Sequence, residues 1–204
     1  MSNRSTFLRY VPEKAADYCT QLWTQHQFTF RITQPRKTKL GDFRAEPGKG
    51  CTITVNNNLN TCAFLITYLH EVAHLLAYQQ WIRSARRRRL QPHGSEWQKA
   101  FHAVMQPVLN ESVFPDSVLV PLIDYLRSPA ASTGAHSGLT KALRQLDSKP
   151  ASYCLLIDLG EGEPFRFSEK EYVRGMKRRT RIVCTEKDTN RRVSVWAHVW
   201  VEKI

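Results

Sequence analysis

The residues best suited to chemistry are His70-Glu71-Val72-Ala73-His74. On a helix, positions i and i+4 differ by about 40° around the axis and ~6 Å along it. Two imidazoles so placed can converge on one ion, at ~2.0–2.1 Å per Zn–N bond. Glu71 lies about 100° from His70 around the axis. It is no natural third ligand on that face, but it is placed to accept a proton from a metal-bound water. The flanks, AFLITYL before and LLAY after, are apolar, as expected of a buried helix that carries a metal. The plain alternative is two satisfied core histidines beside a solvated Glu71. Burying three such polar groups without a partner would be costly.

A catalytic zinc needs a third protein ligand and an open position. In the pattern HExxHxxGxxH the closing positions would be Ala77 and Gln80, so that class is excluded. His93 lies 19 residues past His74 and Glu96 lies 22 past it, in Pro92-His93-Gly94-Ser95-Glu96-Trp97. Pro92 and Gly94 would make a tight turn presenting His93 at a helix start, and Trp97 and Phe101 would pack that helix onto the first. His93 is preferred, with Glu96 as the rival. The other histidines read as ordinary ones: His26 at a helix end, His136 in a linker, His102 packed or facing solvent. Cys62 is too far from His70 to ligate.

Two Arg-rich segments are candidate anion sites. Arg83 and Arg86, Arg87, Arg88 and Arg89 follow the candidate metal helix, where they could hold phosphates or acidic substrate segments. Arg suits bidentate phosphate contacts. Arg174, Lys177, Arg178, Arg179, Arg181, Lys187, Arg191 and Arg192 form the second cluster, near Tyr172, Trp196 and Trp200. Basic strands with aromatic residues suit single-stranded nucleic acid. Against that, Trp196, His198 and Trp200 alternate as one strand face would, which makes the tryptophans core and leaves the charges for binding.

The elements that must position these residues follow from periodicity. Residues 13–27 read as a helix, Phe28–Ile32 as a strand, and Leu40–Arg44 with Cys51–Val55 as a hairpin about Pro47-Gly48-Lys49-Gly50. Residues 60–82 form a long apolar helix capped by Asn60 or Thr61. A helix capped by Ser95 and a short one over 117–127 come next. The small polar run 128–138 is the best linker, and a short amphipathic helix continues it over 139–147. After residue 151 the pattern turns to strands, the last an unbroken run over 191–202, with Lys187–Asn190 turning a hairpin. The fold class expected is α+β: domain 1–130, linker and short helix 131–150, and a small all-β module 151–204.

Composition narrows the partners. The chain has 204 residues, 42% of them hydrophobic, enough for a packed core. No apolar stretch reaches ~18 residues, so no membrane span is expected. Met1–Tyr10 lacks the apolar core of a signal peptide. With five scattered cysteines and no CxxC, a reducing compartment is expected: cytoplasmic, or nucleoid-associated in a bacterium. The net charge of +12 favours a polyanionic partner, of which nucleic acid is the commonest.

The Lys39–Arg44 hairpin, the Ile53-Thr54-Val55-Asn56 strand, the HEVAH helix and the HGSEW segment occur in the order found in SprT-like zinc metalloproteases. That family includes the Spartan proteases of DNA–protein crosslink repair. The chain resembles it over about residues 10–110. The resemblance implies a compact zincin-like domain with His70, His74 and His93 as zinc ligands and Glu71 as general base. It also implies cleavage of proteins, often proteins held on DNA. The chain departs from the pattern at Arg86–Arg89, and in keeping only Cys154 and Cys184 where many bacterial members have a four-cysteine ribbon. The reading is a zinc-dependent endopeptidase with a basic β module, a degenerate ribbon or barrel, that contacts single-stranded or duplex DNA. The alternative is a non-enzymatic nucleic-acid-binding or regulatory protein with a retained zinc site. A zinc hydrolase of small molecules is a third option.

Overall fold

A computed structural model describes residues 3–36, 38–46, 48, 50–84, 90–129 and 136–204. The chain divides into two compact units, Met1–Thr133 and Gly134–Ile204. Both carry helices and strands, so the class is α+β. Among the described residues no helix is long and apolar enough to cross a membrane.

The first unit opens with α1 (Asn3–Leu8) and α2 (Glu13–His26). Three strands follow: β1 (Thr29–Thr33), β2 (Gly41–Glu46) and β3 (Gly50–Asn56). The sheet order is β1-β3-β2, with β1 parallel and β2 antiparallel to β3. β2 is therefore an edge strand, packed against α3 (Thr61–Arg83). α3 buries eleven residues around most of its circumference, among them Phe64, Leu65, Leu69, Val72 and Leu75. That all-round burial is why its sequence is an apolar run rather than an amphipathic stripe. Each such large side chain contributes about 1.5–3 kcal/mol relative to exposure. Asn60 caps the helix, its side chain accepting from the Ala63 N–H at 2.9 Å. α4 (Ser95–Met105) lies against α3 and buries Trp97 and Phe101. Its cap position is held by Gly94, not Ser95; the Ser95 hydroxyl instead donates to Glu96 at 3.0 Å. α5 (Asp116–Leu126) completes the unit.

The short α1 has no counterpart in the sequence reading. It is a little over one turn long and is anchored by Phe7. That ring is fully buried, 4.9–6.0 Å from the rings of Trp23, Phe30 and Tyr68.

The second unit begins with α6 (Ser137–Gln145), which buries Leu139 and Leu143. The segment after it is tied to the strands, since Trp200 Nε1 donates to Asp147 at 3.2 Å. The short helix expected within 131–150 thus packs as part of this compact unit, and residues 151–204 hold six strands and one 3-10 turn. The strands are β4 (Tyr153–Leu155), β5 (Pro164–Phe167), β6 (Lys170–Arg178), β7 (Arg181–Glu186), β8 (Arg192–Trp196) and β9 (Trp200–Lys203). Their order is β4-β9-β5-β6-β7-β8. Residues 191–202 are therefore two strands, not one. β8 pairs beside β7, whereas β9 sits between β4 and β5, so Ala197–Val199 must carry the chain across. The crossing is held by backbone bonds from Leu156 to Val199, Ile157 to Ala197 and Ala197 to Thr180. Phe165, Tyr172, Ile182, Cys184 and Val201 form the core.

Candidate metal centre

α3 places His70 and His74 one turn apart, and the loop into α4 brings His93 to them. The three Nε2 atoms lie 3.2 Å (His70–His74), 3.1 Å (His70–His93) and 2.9 Å (His74–His93) apart. A neutral imidazole offers one N–H and one bare nitrogen. Three Nε2 atoms this close cannot all be satisfied by one another, because each neutral ring presents there either an N–H or a lone pair and not both. A cation satisfies three lone pairs at once. Tetrahedral Zn–N bonds of ~2.0–2.1 Å would space the nitrogens ~3.3–3.4 Å apart, close to what is seen. The group can hold a metal ion, and among the described residues no other set of three or more His, Cys, Asp or Glu side chains is placed to do so.

The electrostatics agree with ligation. Burial, then the neighbouring imidazoles His74 and His93, push His70 down to about 3. Burial and His93 push His74 down to about 4. Burial also lowers His93. All three are therefore neutral near pH 7, the form that binds metal.

His93 is held by its turn. Gly94 N–H donates to the Gln91 carbonyl at 3.1 Å, Pro92 occupies the second position and His93 the third, with φ +60°. This is the pattern of a type II turn, whose third position favours glycine. A histidine there carries backbone strain of order 1 kcal/mol. Trp97 forms the floor: its ring centroid lies 4.7 Å from those of His70 and His93, and its Nε1 donates to the His70 carbonyl at 3.3 Å. Phe101 stacks beneath it at 4.9 Å.

Glu71 is 7% exposed. Burial, and next the Asp42 carboxylate, push its carboxyl up to about 8; Arg36, Lys39 and a hydrogen bond from the Phe43 N–H oppose that rise. Asp42 is itself engaged by Lys39 and Arg44, each at 2.8 Å. Beyond His74 the wall is apolar. The Phe43 ring lies parallel to His74 at 6.4 Å and 5.8 Å from Tyr78. These groups line an open cleft of about 440 Å³ that includes all three histidines and Glu71.

Of the expected site residues, His70, Glu71, His74 and His93 come together. Glu96 is not in the histidine group; it accepts from Ser95. Tyr68 is fully buried with its hydroxyl donating to the Cys19 carbonyl, whereas Tyr78 lines the cleft. His102 is exposed, His26 meets Gln79, and His136 accepts from the Leu139 N–H. Arg86, Arg87, Arg88 and Arg89 lie outside the described residues.

In the second unit, Lys177, Arg178, Arg179 and Arg181 cluster at the β6–β7 turn, all exposed. Arg181 donates to the Ser194 carbonyl at 3.0 Å, so its side chain is partly engaged. Arg174 and Lys187 are committed to Glu161 and Glu171. Trp196 and Trp200 stand on different strands, half-buried. Arg144 lies over Trp196 at 5.7 Å, which occupies a face of that ring, and Trp200 donates its Nε1–H to Asp147.

Arg36 and Thr67 carry no functional signal in the sequence, and Gly41 and Trp97 lie in the Lys39–Arg44 and HGSEW segments without a site role of their own. Arg36 donates to Asn56 at 2.8 Å and Thr54 at 3.0 Å, and Asn56 donates to the Lys39 carbonyl at 2.8 Å, which ties down the segment entering β2. Only their positions in three dimensions reveal them. In comparisons with protein-family models, curated proteins and solved structures, the chain matches none.

Proposed function

We propose that this protein is a zinc-dependent endopeptidase of the SprT-like kind, with a zincin-like first unit. The observation that carries this reading is the convergence of the His70, His74 and His93 Nε2 atoms beside buried Glu71, in an open cleft. Three neutral nitrogen ligands, with no fourth His, Cys, Asp or Glu joining them among the described residues, match the donor set of a catalytic zinc rather than a structural one. Zinc held there would supply Lewis acidity and an acidified water. His70, His74 and His93 would hold it, and Glu71 would be the base that accepts a proton on its carboxylate and returns it to the leaving nitrogen. The charge of a bound cation favours the ionised form of Glu71, countering the effect of burial. The edge strand β2 and the apolar wall of Phe43 and Tyr78 shape the cleft for an extended polypeptide.

The substrates proposed are proteins held on DNA. The exposed cations at the β6–β7 turn support phosphate contact, and the half-buried tryptophans argue against single-strand stacking as its basis. A purely structural role for the metal is disfavoured by a buried carboxylate next to it. The test is zinc content together with proteolysis of basic DNA-binding proteins, with and without single-stranded and duplex DNA. Zinc-loaded protein that cleaves none of them under any condition would leave the non-enzymatic binding role in its place.

A further inference from the structure

We infer that Gly41 is a positioning residue for Glu71: the edge strand β2 is closed onto the metal helix through the volume that a side chain at 41 would fill. A Cβ built on Gly41 would stand 2.6 Å from Glu71 Oε1, 2.8 Å from Glu71 Cγ and 2.7 Å from Thr67 Cγ2. All three distances are below any ordinary carbon contact. The position is not one of unusual backbone; what glycine supplies is room.

The neighbours cannot yield easily. Thr67 and Glu71 are one turn apart on α3 and face the same strand. The Thr67 hydroxyl donates to the Ala63 carbonyl at 2.8 Å, which fixes its rotamer and turns its methyl toward Gly41. β2 cannot lift freely either. Its entry is tied by Arg36 to Asn56, Thr54 and the Leu40 carbonyl. Its inner edge is paired to β3 from Gly41↔Val55 to Glu46↔Gly50.

The Asn56 N–H donates to the Leu40 carbonyl at 2.9 Å, so the backbone groups of Leu40, Asp42 and Arg44 face β3, and by alternation the Phe43 N–H points out of the ladder. That outward N–H favours the ionised form of the Glu71 carboxyl. A methyl at 41 would push the Glu71 carboxylate aside or open the strand from the helix. A displacement of ~1 Å at a reacting group can lower a rate ~10²-fold.

This inference rests on the peptidase reading for its catalytic consequence but not for its packing. Gly41→Ala, Glu71→Ala, Glu71→Gln and the double variants Gly41→Ala/Glu71→Ala and Gly41→Ala/Glu71→Gln are made in the full chain. Thermal midpoints of the metal-free proteins, zinc content and steady-state kinetics are measured. Gly41→Ala is expected to lower the midpoint in the wild-type and Glu71→Gln backgrounds, because glutamine keeps the shape. Much of that drop should vanish in Glu71→Ala, where two of the three clashing atoms are gone. Zinc content should stay near wild type, and kcat should fall about 10²-fold with KM little changed. If Gly41→Ala fails to fold, folding of Gly41→Ala/Glu71→Ala supports the inference, and failure of both overturns it. An equal drop in every background, or an active Gly41→Ala with unchanged kcat, also overturns it. A wild-type protein that cleaves nothing would sink the peptidase reading and leave the stability cycle standing.

Discussion

His93 is asked to do two things that conflict, and separating them gives a quantitative test. It supplies the third nitrogen of the triad, and it occupies a left-handed position, φ +60°, that suits glycine. Two substitutions remove the imidazole but differ in the backbone. His93→Ala keeps a Cβ in the left-handed region, while His93→Gly relieves it. In metal-free protein the glycine variant should be the more stable of the two by about 1 kcal/mol. For a unit of this size that is roughly 3–5 °C in the thermal midpoint. Zinc should reverse the ranking against wild type. At a free concentration of 100 times its dissociation constant, a ligand binding only the folded state stabilises it by about 2.7 kcal/mol, roughly 10 °C. Wild type should gain that shift and both variants should gain little of it. The assays are differential scanning calorimetry with and without zinc, and metal content by elemental analysis. If His93→Gly takes up zinc as wild type does, or if alanine and glycine are equally stable without metal, the assigned turn and ligand are wrong.

Glu96→Ala should retain wild-type zinc content, because Glu96 is engaged by Ser95 and lies outside the triad; loss of zinc in a dialysis assay would reinstate it as the ligand. The carboxyl of Glu71 is raised from 4.5 to about 8, so in metal-free protein the folded state holds more protons than the unfolded one between those values. Its contribution is fully present below pH 4.5 and is lost as pH rises through about 8. Urea midpoints of metal-free wild type should therefore decline from pH 6 to 8.5 relative to Glu71→Gln, and parallel curves would contradict the burial assigned to Glu71. Lys177→Glu, Arg178→Glu and Arg179→Glu combined should weaken nucleic-acid binding in low-salt filter assays with little sequence preference. The salt slope should shrink by about 0.9 for each duplex phosphate that the protein no longer neutralises, and unchanged affinity and slope would exclude this turn.

Local pattern revealed the elements wherever burial is one-sided or total. The apolar run of α3 is legible because the helix is covered nearly all round, and the β2–β3 hairpin because turn residues separate two alternating stretches. Two of the three converging histidines are legible for the same reason: a helix fixes the relation of His70 to His74. The choice between His93 and Glu96 needed the turn. Pro92 signals a tight bend, but nothing local says that a histidine accepts the left-handed position. α1 was illegible because Phe7 is held by rings distant in sequence. The break at Ala197–Val199 was hidden for a related reason. Both flanking stretches alternate like strands, and only the sheet order separates them. Gly41 lies in the Lys39–Arg44 segment, but the reason for a glycine there shows only when the strand is seen against Glu71 and Thr67.

The most direct measurement compares zinc-loaded wild type with zinc-loaded Glu71→Gln on one protein substrate bound to DNA, following new peptide termini by mass spectrometry. Glutamine preserves the size of Glu71 and leaves the three histidines untouched, so both proteins should carry about one zinc per chain. General-base assistance contributes ~10²–10⁴-fold, so wild type should cut and Glu71→Gln should be slower by that factor. Equal cleavage by the two proteins at equal zinc content would contradict the central claim that Glu71 works as the base beside a three-histidine zinc.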